Sequence, residues 1–415
     1  MKNRWFVACA AVLTHVCLGS VYAWSVFIPA LQRQTGWSKP QLTWAFSLAI
    51  ASLGLTSALA SPLMQRLGAR TSVRLSALLF GLGVTGAGAA IRLHSLPLLY
   101  GCYGVVGGIG LGMGYVPPVT TLIRWFSDRK GLATGLAVGG FGLGALLASF
   151  MAEGLLHRFS CAGTFMILGL FYSLVILLAA QFLQLPMGDR AVAGKSMKIG
   201  ILFAEVRFWL LWSVFFVNIA TGILLIALAR PMLEESAGLT RGAAVPAVTA
   251  VAIMGLFNGL GRLGWSSLSD HLGRTHTWML MFLVQGLMFL ILGRGASPQV
   301  LALGLWLISS CYGGGFALCP ALVSDTFGPE NAPRIYGLSL TAWGAAALVS
   351  PPLAARLREI LGSYNSILGC CGAASLVGFG LVIALRQSMA EPGPGSHGIG
   401  RRSLTNRLLQ TGIPD

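Results

Sequence analysis

The stretch 243-AAVPAVTAVAIMGLFNGLGRLGWSSL-268 is a run of apolar and small side chains carrying a single charge, Arg262. As an α-helix it rises about 39 Å, more than enough to cross a hydrocarbon layer about 30 Å thick. A guanidinium inside such a helix costs at least a few kcal/mol unless it faces a cavity or a partner. Two questions follow. Whether such segments recur decides the fold, and what Arg262 faces bears on the function.

They do recur. The 415 residues are 55% hydrophobic and 10% charged, with a mean hydropathy of +0.76. Soluble domains carry about 25% charged residues, so the composition is that of a membrane protein. Glycine is abundant (55 residues), as where membrane helices pack closely. Twelve apolar stretches are expected to be transmembrane helices: 5–31, 42–64, 72–91, 97–123, 131–154, 162–185, 207–229, 243–268, 275–293, 298–323, 335–355 and 362–385. The first superficially resembles a signal peptide, but its apolar run continues from Trp5 to Leu31. The fold class is therefore an all-α polytopic membrane protein. The longest internal break gives a central loop over 186–206, dividing an N-terminal six-helix bundle (1–185) from a C-terminal one (207–386). The Pro/Gly/Ser-rich basic tail, 387–415, reads as disordered.

The halves echo each other. The segment from Arg4 resembles the segment from Arg207, with Gly19 matching Gly222, and 61-SPLMQRLGAR-70 lines up with 266-SSLSDHLGR-274. Two weak matches at nearly one offset point to a duplicated six-helix unit, in which a site forms between the halves near the midplane.

The formal net charge of +16 does not mark a nucleic-acid binder, because the Lys and Arg residues sit in short connections between apolar runs. Of the 28, eighteen fall on the side of the N-terminus and nine on the other; Arg262 is the one left over. That bias puts both termini in the cytoplasm of, by expectation, a bacterial cell. The eight cysteines (Cys9, Cys17, Cys102, Cys161, Cys311, Cys319, Cys370 and Cys371) form no CxxC pair and read as small buried hydrophobes.

The segment 264-GWSSLSDHLGR-274 resembles the loop motif of the major facilitator superfamily, here in its second-half copy; the first-half copy carries Gln65 where the motif has an acid. Asp270, accepting hydrogen bonds from Arg274 or neighbouring backbone, can lock helix ends together. Three further stretches, 19-GSVYAWSVFIP-29, 124-RWFSDRKGLATG-135 and 327-FGPENAPRIYGLSLTAWG-344, resemble the oxalate–formate exchanger family within that superfamily. The resemblance, over about 385 residues from Trp5 to near Arg386, implies the twelve-helix major facilitator fold, alternating access and small carboxylates as substrates. Structural or gating roles are assigned to Asp270 and Arg274, and to Asp128 and Arg129. One departure matters: oxalate transporters of that family pair the helix-8 Arg with a Lys in helix 11. Here 335-IYGLSLTAWGAAALVSPPLAA-355 contains no Lys and offers Ser339, Thr341 and Trp343 instead. A monoanion balanced by one Arg fits better than a dianion.

Arg262 lies near one end of helix 8, where snorkelling to water is an alternative. With helix 8 running inward, however, the tilt of its Cα–Cβ bond points the side chain toward the membrane centre. Asn258 lies one turn earlier. None of the twelve Asp and Glu falls at mid-depth, so a substrate carboxylate is the expected partner of the guanidinium fork. His15, Gly19 and Tyr22 share one face of helix 1, and His15 can carry a proton. The glycines of 107-GGIGLGMGYVPP-118 follow no strand and indicate close helix packing, with Tyr115 a candidate cavity residue. Tyr312, Phe316 and Trp343 are candidates for an aromatic box.

No HExxH, nucleophile elbow, clustered ligands or P-loop is present, so neither an enzyme nor a metal, cofactor or ATP dependence is expected. The expected function is secondary transport of a small organic anion, a monocarboxylate, by a protein able to work as a monomer in the lipid bilayer. The alternative on the same fold is an exporter of amphipathic compounds, against which stands the lone intramembrane positive charge.

Overall fold

The computed structural model describes residues 3–186, 197–240 and 247–390, and among them there is no strand. The long helices are α1 (Arg4–Thr35), α2 (Lys39–Leu59), α3 (Ser61–Arg92), α4 (Leu96–Trp125), α5 (Lys130–Leu156) and α6 (Cys161–Ala180). They are followed by α7 (Val206–Thr240), α8 (Ala247–Leu272), α9 (Arg274–Leu292), α10 (Pro298–Phe327), α11 (Ala332–Leu361) and α12 (Tyr364–Ala390). Among the described residues eleven helices are long and apolar enough to cross a membrane; α8, 26 residues long, lies between two of them and carries Arg262. The expected all-α polytopic fold is the one observed.

Local sequence sets the helix ends. Ser38 and Gln41 form a reciprocal capping box at the start of α2, and Ser160 and Ser297 cap α6 and α10 through their hydroxyls. Two breaks repeat between the halves. Gly68, inside α3, and Gly273, between α8 and α9, have φ of 78° and 85°, a region that glycine reaches without a Cβ penalty. These are the matched glycines of the two sequence repeats.

Several boundaries differ from the sequence expectation. The second helix ends at Leu59 rather than 64, because residues 61–67 run into the turn at Gly68. α7 continues to Thr240 rather than 229. α12 continues to Ala390, so the first residues of the expected disordered tail are helical; 391–415 lie outside the described residues. So do 187–196 of the expected central loop and 243–246 of the expected eighth helix, while a short helix, Ile199–Ala204, closes the loop's described part. α11 is interrupted at Leu340, and α4 passes through wide π-helical turns over Tyr100–Gly107.

The helices pack in two sets. α3 lies against α4 and α6, and α1 against α5; in the second half α8 lies against α10, α9 against α12, and α7 against α11 and α12. Between the sets, α5 meets α8 and α2 meets α11. Large apolar side chains such as Phe6, Leu59, Leu82, Phe150 and Leu170 point outward and exposed, the surface a lipid environment requires. Buried aromatics and small residues fill the centre.

Candidate functional site

Arg262 is fully buried. Its Nε donates to Asn258 Oδ1 (3.0 Å), one turn back on α8, and its Nη1 donates to the Val138 carbonyl of α5 (3.0 Å). Nη2 is buried with no hydrogen-bond partner. Among the described residues no carboxylate pairs with Arg262. The guanidinium carbon sits 4.9 Å from the centre of the Phe316 ring and 5.6 Å from that of Phe141, within cation–π range. The side chain therefore does not snorkel: it reaches across to the other half of the bundle.

The remaining candidates converge around it. Tyr22 of α1 and Tyr312 of α10 bring their hydroxyls to 3.2 Å, a hydrogen bond between the halves. Phe141 is the hub, with ring centres 5.3 Å from Tyr22, 5.4 Å from Tyr115, 5.7 Å from Trp343 and 6.5 Å from His15. Tyr312 stands edge-on to Phe316 at 5.3 Å, and Phe316 edge-on to Trp343 at 4.7 Å, so the three residues expected as an aromatic box do meet. Close approach is achieved by glycine: a Cβ on Gly19 would lie 2.0 Å from the Phe141 carbonyl oxygen, and one on Gly222 2.1 Å from the Tyr312 ring.

Four buried polar atoms in this shell have no partner: Arg262 Nη2, His15 Nε2 and the hydroxyls of Tyr115 and Tyr336. Native interiors satisfy about nine in ten buried polar groups, so such a cluster marks a place built for something polar. It offers one fixed positive charge, hydroxyls that donate or accept, and aromatic walls, which suits a small anion. Among the described residues no group of His, Cys, Asp or Glu could hold a metal ion.

Three contributors were not legible in the sequence. The Val138 carbonyl has no side-chain signature. Phe141 sits in 139-GGFGLG-144, where glycines signal packing only, and Tyr336 lies within a quoted motif that says nothing of depth. Conversely, Ser339 and Thr341 are absorbed elsewhere. Ser339 donates to Ile335 O on its own helix, and Thr341 accepts from Trp212 Nε1 of α7.

The second group of expected residues lies at one end of the bundle. Asp270 accepts from the backbone N–H of Gly131 and of Leu132, both at 2.9 Å, and pairs with Arg274 at 2.8 Å. The backbone partners are the first turn of α5 in the opposite half, not neighbours of Asp270, so the carboxylate caps a helix whose N-terminal dipole favours it. Arg274 also pairs with Asp325 (3.0 Å), which takes Lys130 of α5 at 2.7 Å. Asp128 pairs instead with Arg4 of its own half at 3.4 Å, and Arg129 occupies the position before the first turn of α5; neither joins the inter-half network.

The chain is similar to known proteins. The chain is 28% identical over 407 residues to the oxalate:formate antiporter of Oxalobacter formigenes, covering 94% of each. It is 24% identical to the apicoplast pyruvate carrier 1 of Toxoplasma gondii, covering 90% of this chain and 88% of that one. The proton:xylose symporter XylE, a solved structure, has the same fold, with a TM-score of 0.71 at 15% identity over 93% of this chain and 95% of that one. The sequence profile described as Major Facilitator Superfamily matches residues 10–351 and again 249–410. With twelve helices in two packed sets and this match over most of its length, the chain belongs to the major facilitator superfamily, a family of membrane transporters rather than enzymes.

Proposed function

We propose that the protein is a secondary transporter of a small monocarboxylate, working by alternating access of the two six-helix halves, 1–185 and 207–386, around Arg262. The observation that carries this reading is the guanidinium itself: fully buried, held by Asn258 and Val138, and left with Nη2 free and no carboxylate among its described partners. A buried cation is tolerable when an anion can complete it, and a carboxylate matches its fork. The names of the oxalate:formate antiporter and the pyruvate carrier support small carboxylates as the class. The lack of a lysine on α11 favours one negative charge over two. The exporter of amphipathic compounds has less support, since an unpaired buried cation repels the cationic members of that class.

Tyr22, Tyr115, Tyr312, Phe316, Trp343, Asn258 and His15 are the proposed lining. The Asp270–Arg274–Asp325–Lys130 network is the proposed gate at the cytoplasmic end, with both termini on that side of a bacterial cytoplasmic membrane. The protein acts as a monomer in this reading.

The test is counterflow in proteoliposomes preloaded with formate, lactate, pyruvate, oxalate or a longer dicarboxylate. Trans-stimulated uptake of a labelled monocarboxylate, lost in Arg262→Gln protein that inserts normally, is the expected result. Undiminished uptake by that variant overturns the assignment of Arg262.

A further inference from the structure

We infer that His15 is a specificity-determining residue that accepts a hydrogen bond from the substrate, so that the site selects 2-hydroxy monocarboxylates over their deoxy analogues. The inference rests on Arg262 holding the carboxylate. It comes from the hydrogen-bond chemistry of one ring. His15 is fully buried on α1, and its Nδ1 lies 3.0 Å from the Ala11 carbonyl. A carbonyl oxygen only accepts, so Nδ1 carries a hydrogen in either charge state. A second proton, on Nε2, would create another unpaired buried cation beside Arg262, both of them ranged on the Phe141 ring. The ring is therefore neutral, and Nε2 is an acceptor with no partner.

That lone pair has consequences for the ligand. A carboxylate alone brings only acceptors, and placed beside Nε2 it would set lone pair against lone pair. A hydroxyl on the carbon next to the carboxylate supplies the missing donor while Arg262 Nη2 takes the carboxylate. Tyr115, whose ring lies 5.0 Å from that of His15, and Tyr336 present hydroxyls that remain free to meet the other substrate oxygens. Of the charged and titratable residues, Arg262 of α8 and Tyr115 of α4 are the ones that face His15.

The experiment compares lactate with propionate, which differ only by the hydroxyl, in counterflow by the full chain. Wild-type protein is expected to favour lactate by about tenfold or more, the scale of an unpaired buried polar group. His15→Asn keeps a donor where Nδ1 bonds Ala11 and removes the distal acceptor, so it should insert and lose the preference. His15→Gln retains an acceptor near the Nε2 position and should keep part of it. Equal counterflow of the two acids in wild-type protein overturns this inference alone, as does an unchanged ratio in His15→Asn. Uptake of both acids driven equally by an inward proton gradient, and lost in His15→Asn, also overturns it, since Nε2 would then take a proton. Absence of all carboxylate counterflow overturns the Arg262 reading together with this one.

Discussion

Arg262 Nη1 donates to the carbonyl of Val138 at 3.0 Å, tying α8 of one half to α5 of the other at the proposed site. The same helix pair is joined again further along. A Cβ on Gly135 would lie 2.2 Å from Ser266 Oγ, and Asp270 caps the N–H groups of Gly131 and Leu132. Residues 262, 266 and 270 are spaced one helical turn apart on α8 and meet 138, 135 and 131 on α5, so the anion anchor and the proposed gate share one antiparallel interface. An anion taken by Nη2 binds the same guanidinium that holds Val138 through Nη1, and so acts directly on the interface that the gate also holds.

Arg262→Lys tests the geometry of the anchor apart from its charge. An ammonium cannot bond Asn258, Val138 and a carboxylate in one plane. Losing a charge-assisted hydrogen bond costs about 1.5–3 kcal/mol, so counterflow should fall roughly ten- to a hundredfold although the charge remains. Thermal stability provides a second readout. A monocarboxylate at about 100 times its Kd should stabilise wild-type protein by about 2.7 kcal/mol and leave the Arg262→Gln variant unmoved. Wild-type transport by the lysine variant would show that only the charge matters.

Asp270→Asn addresses the other end of the interface. It removes the charged cap from α5 and leaves Arg274 with Asp325 as its carboxylate partner, beside the Ser269 hydroxyl. The half-interface should open more readily at that end, and a cysteine introduced at Leu132, in a background without native cysteines, should react faster with a soluble maleimide. The Lys130–Asp325 pair is partly exposed (23% and 34%), so its separate worth is about 1 kcal/mol or less. Asp325→Asn, which takes the carboxylate from both Lys130 and Arg274, should nevertheless lower transport more than Lys130→Gln does. Equal effects of the two changes would mean that Asp325 is not acting as the shared acid of the network.

The fold was almost fully legible because hydrocarbon imposes one rule on every span: satisfy the backbone internally and keep the side chains apolar. Helix ends were less so, since the turns at Ala60 and Gly68 and the continuation of α7 to Thr240 depend on packing rather than hydropathy. At the site, residue type marked Arg262, Tyr22, Tyr312 and Trp343, because charge and aromatic rings stand out in an apolar helix. Depth, rotation and backbone partners did not stand out, which is why Val138, Phe141 and Tyr336 appear only in three dimensions. The loop acid Asp270 was readable as a lock, but its target, the first turn of α5, lies 139 residues away in the chain.

Gly19 and Gly222 are matched in sequence and both make close contacts, but alanine should affect them differently. At Gly222 the added carbon meets a side chain, the buried Tyr312 ring, 2.1 Å from Cδ2 and 2.5 Å from Cγ, so the ring must shift as a whole. Gly222→Ala should therefore insert with a modest loss of stability, while breaking the Tyr22–Tyr312 bond and weakening transport severalfold. At Gly19 the obstacle is backbone, the Phe141 carbonyl at 2.0 Å, which can yield only if α1 and α5 separate. Gly19→Ala should lower the yield of monodisperse protein and its melting temperature. Equal behaviour of the two variants would contradict the packing described.

Trp343→Lys tests why one charge should be preferred to two. Trp343 is buried on α11 against Phe316, Phe141 and Tyr115, around the ring system that holds Arg262. A lysine there places a second cation in a medium that screens poorly, so the empty site becomes costly and the variant should be less stable than wild type. A dianion neutralises both cations where a monoanion neutralises one. Oxalate should then raise the melting temperature of the variant more than lactate or formate does, and counterflow should shift from monocarboxylate toward oxalate. A variant that inserts, remains folded and still prefers the monocarboxylate would show that selection by charge number does not reside at this position.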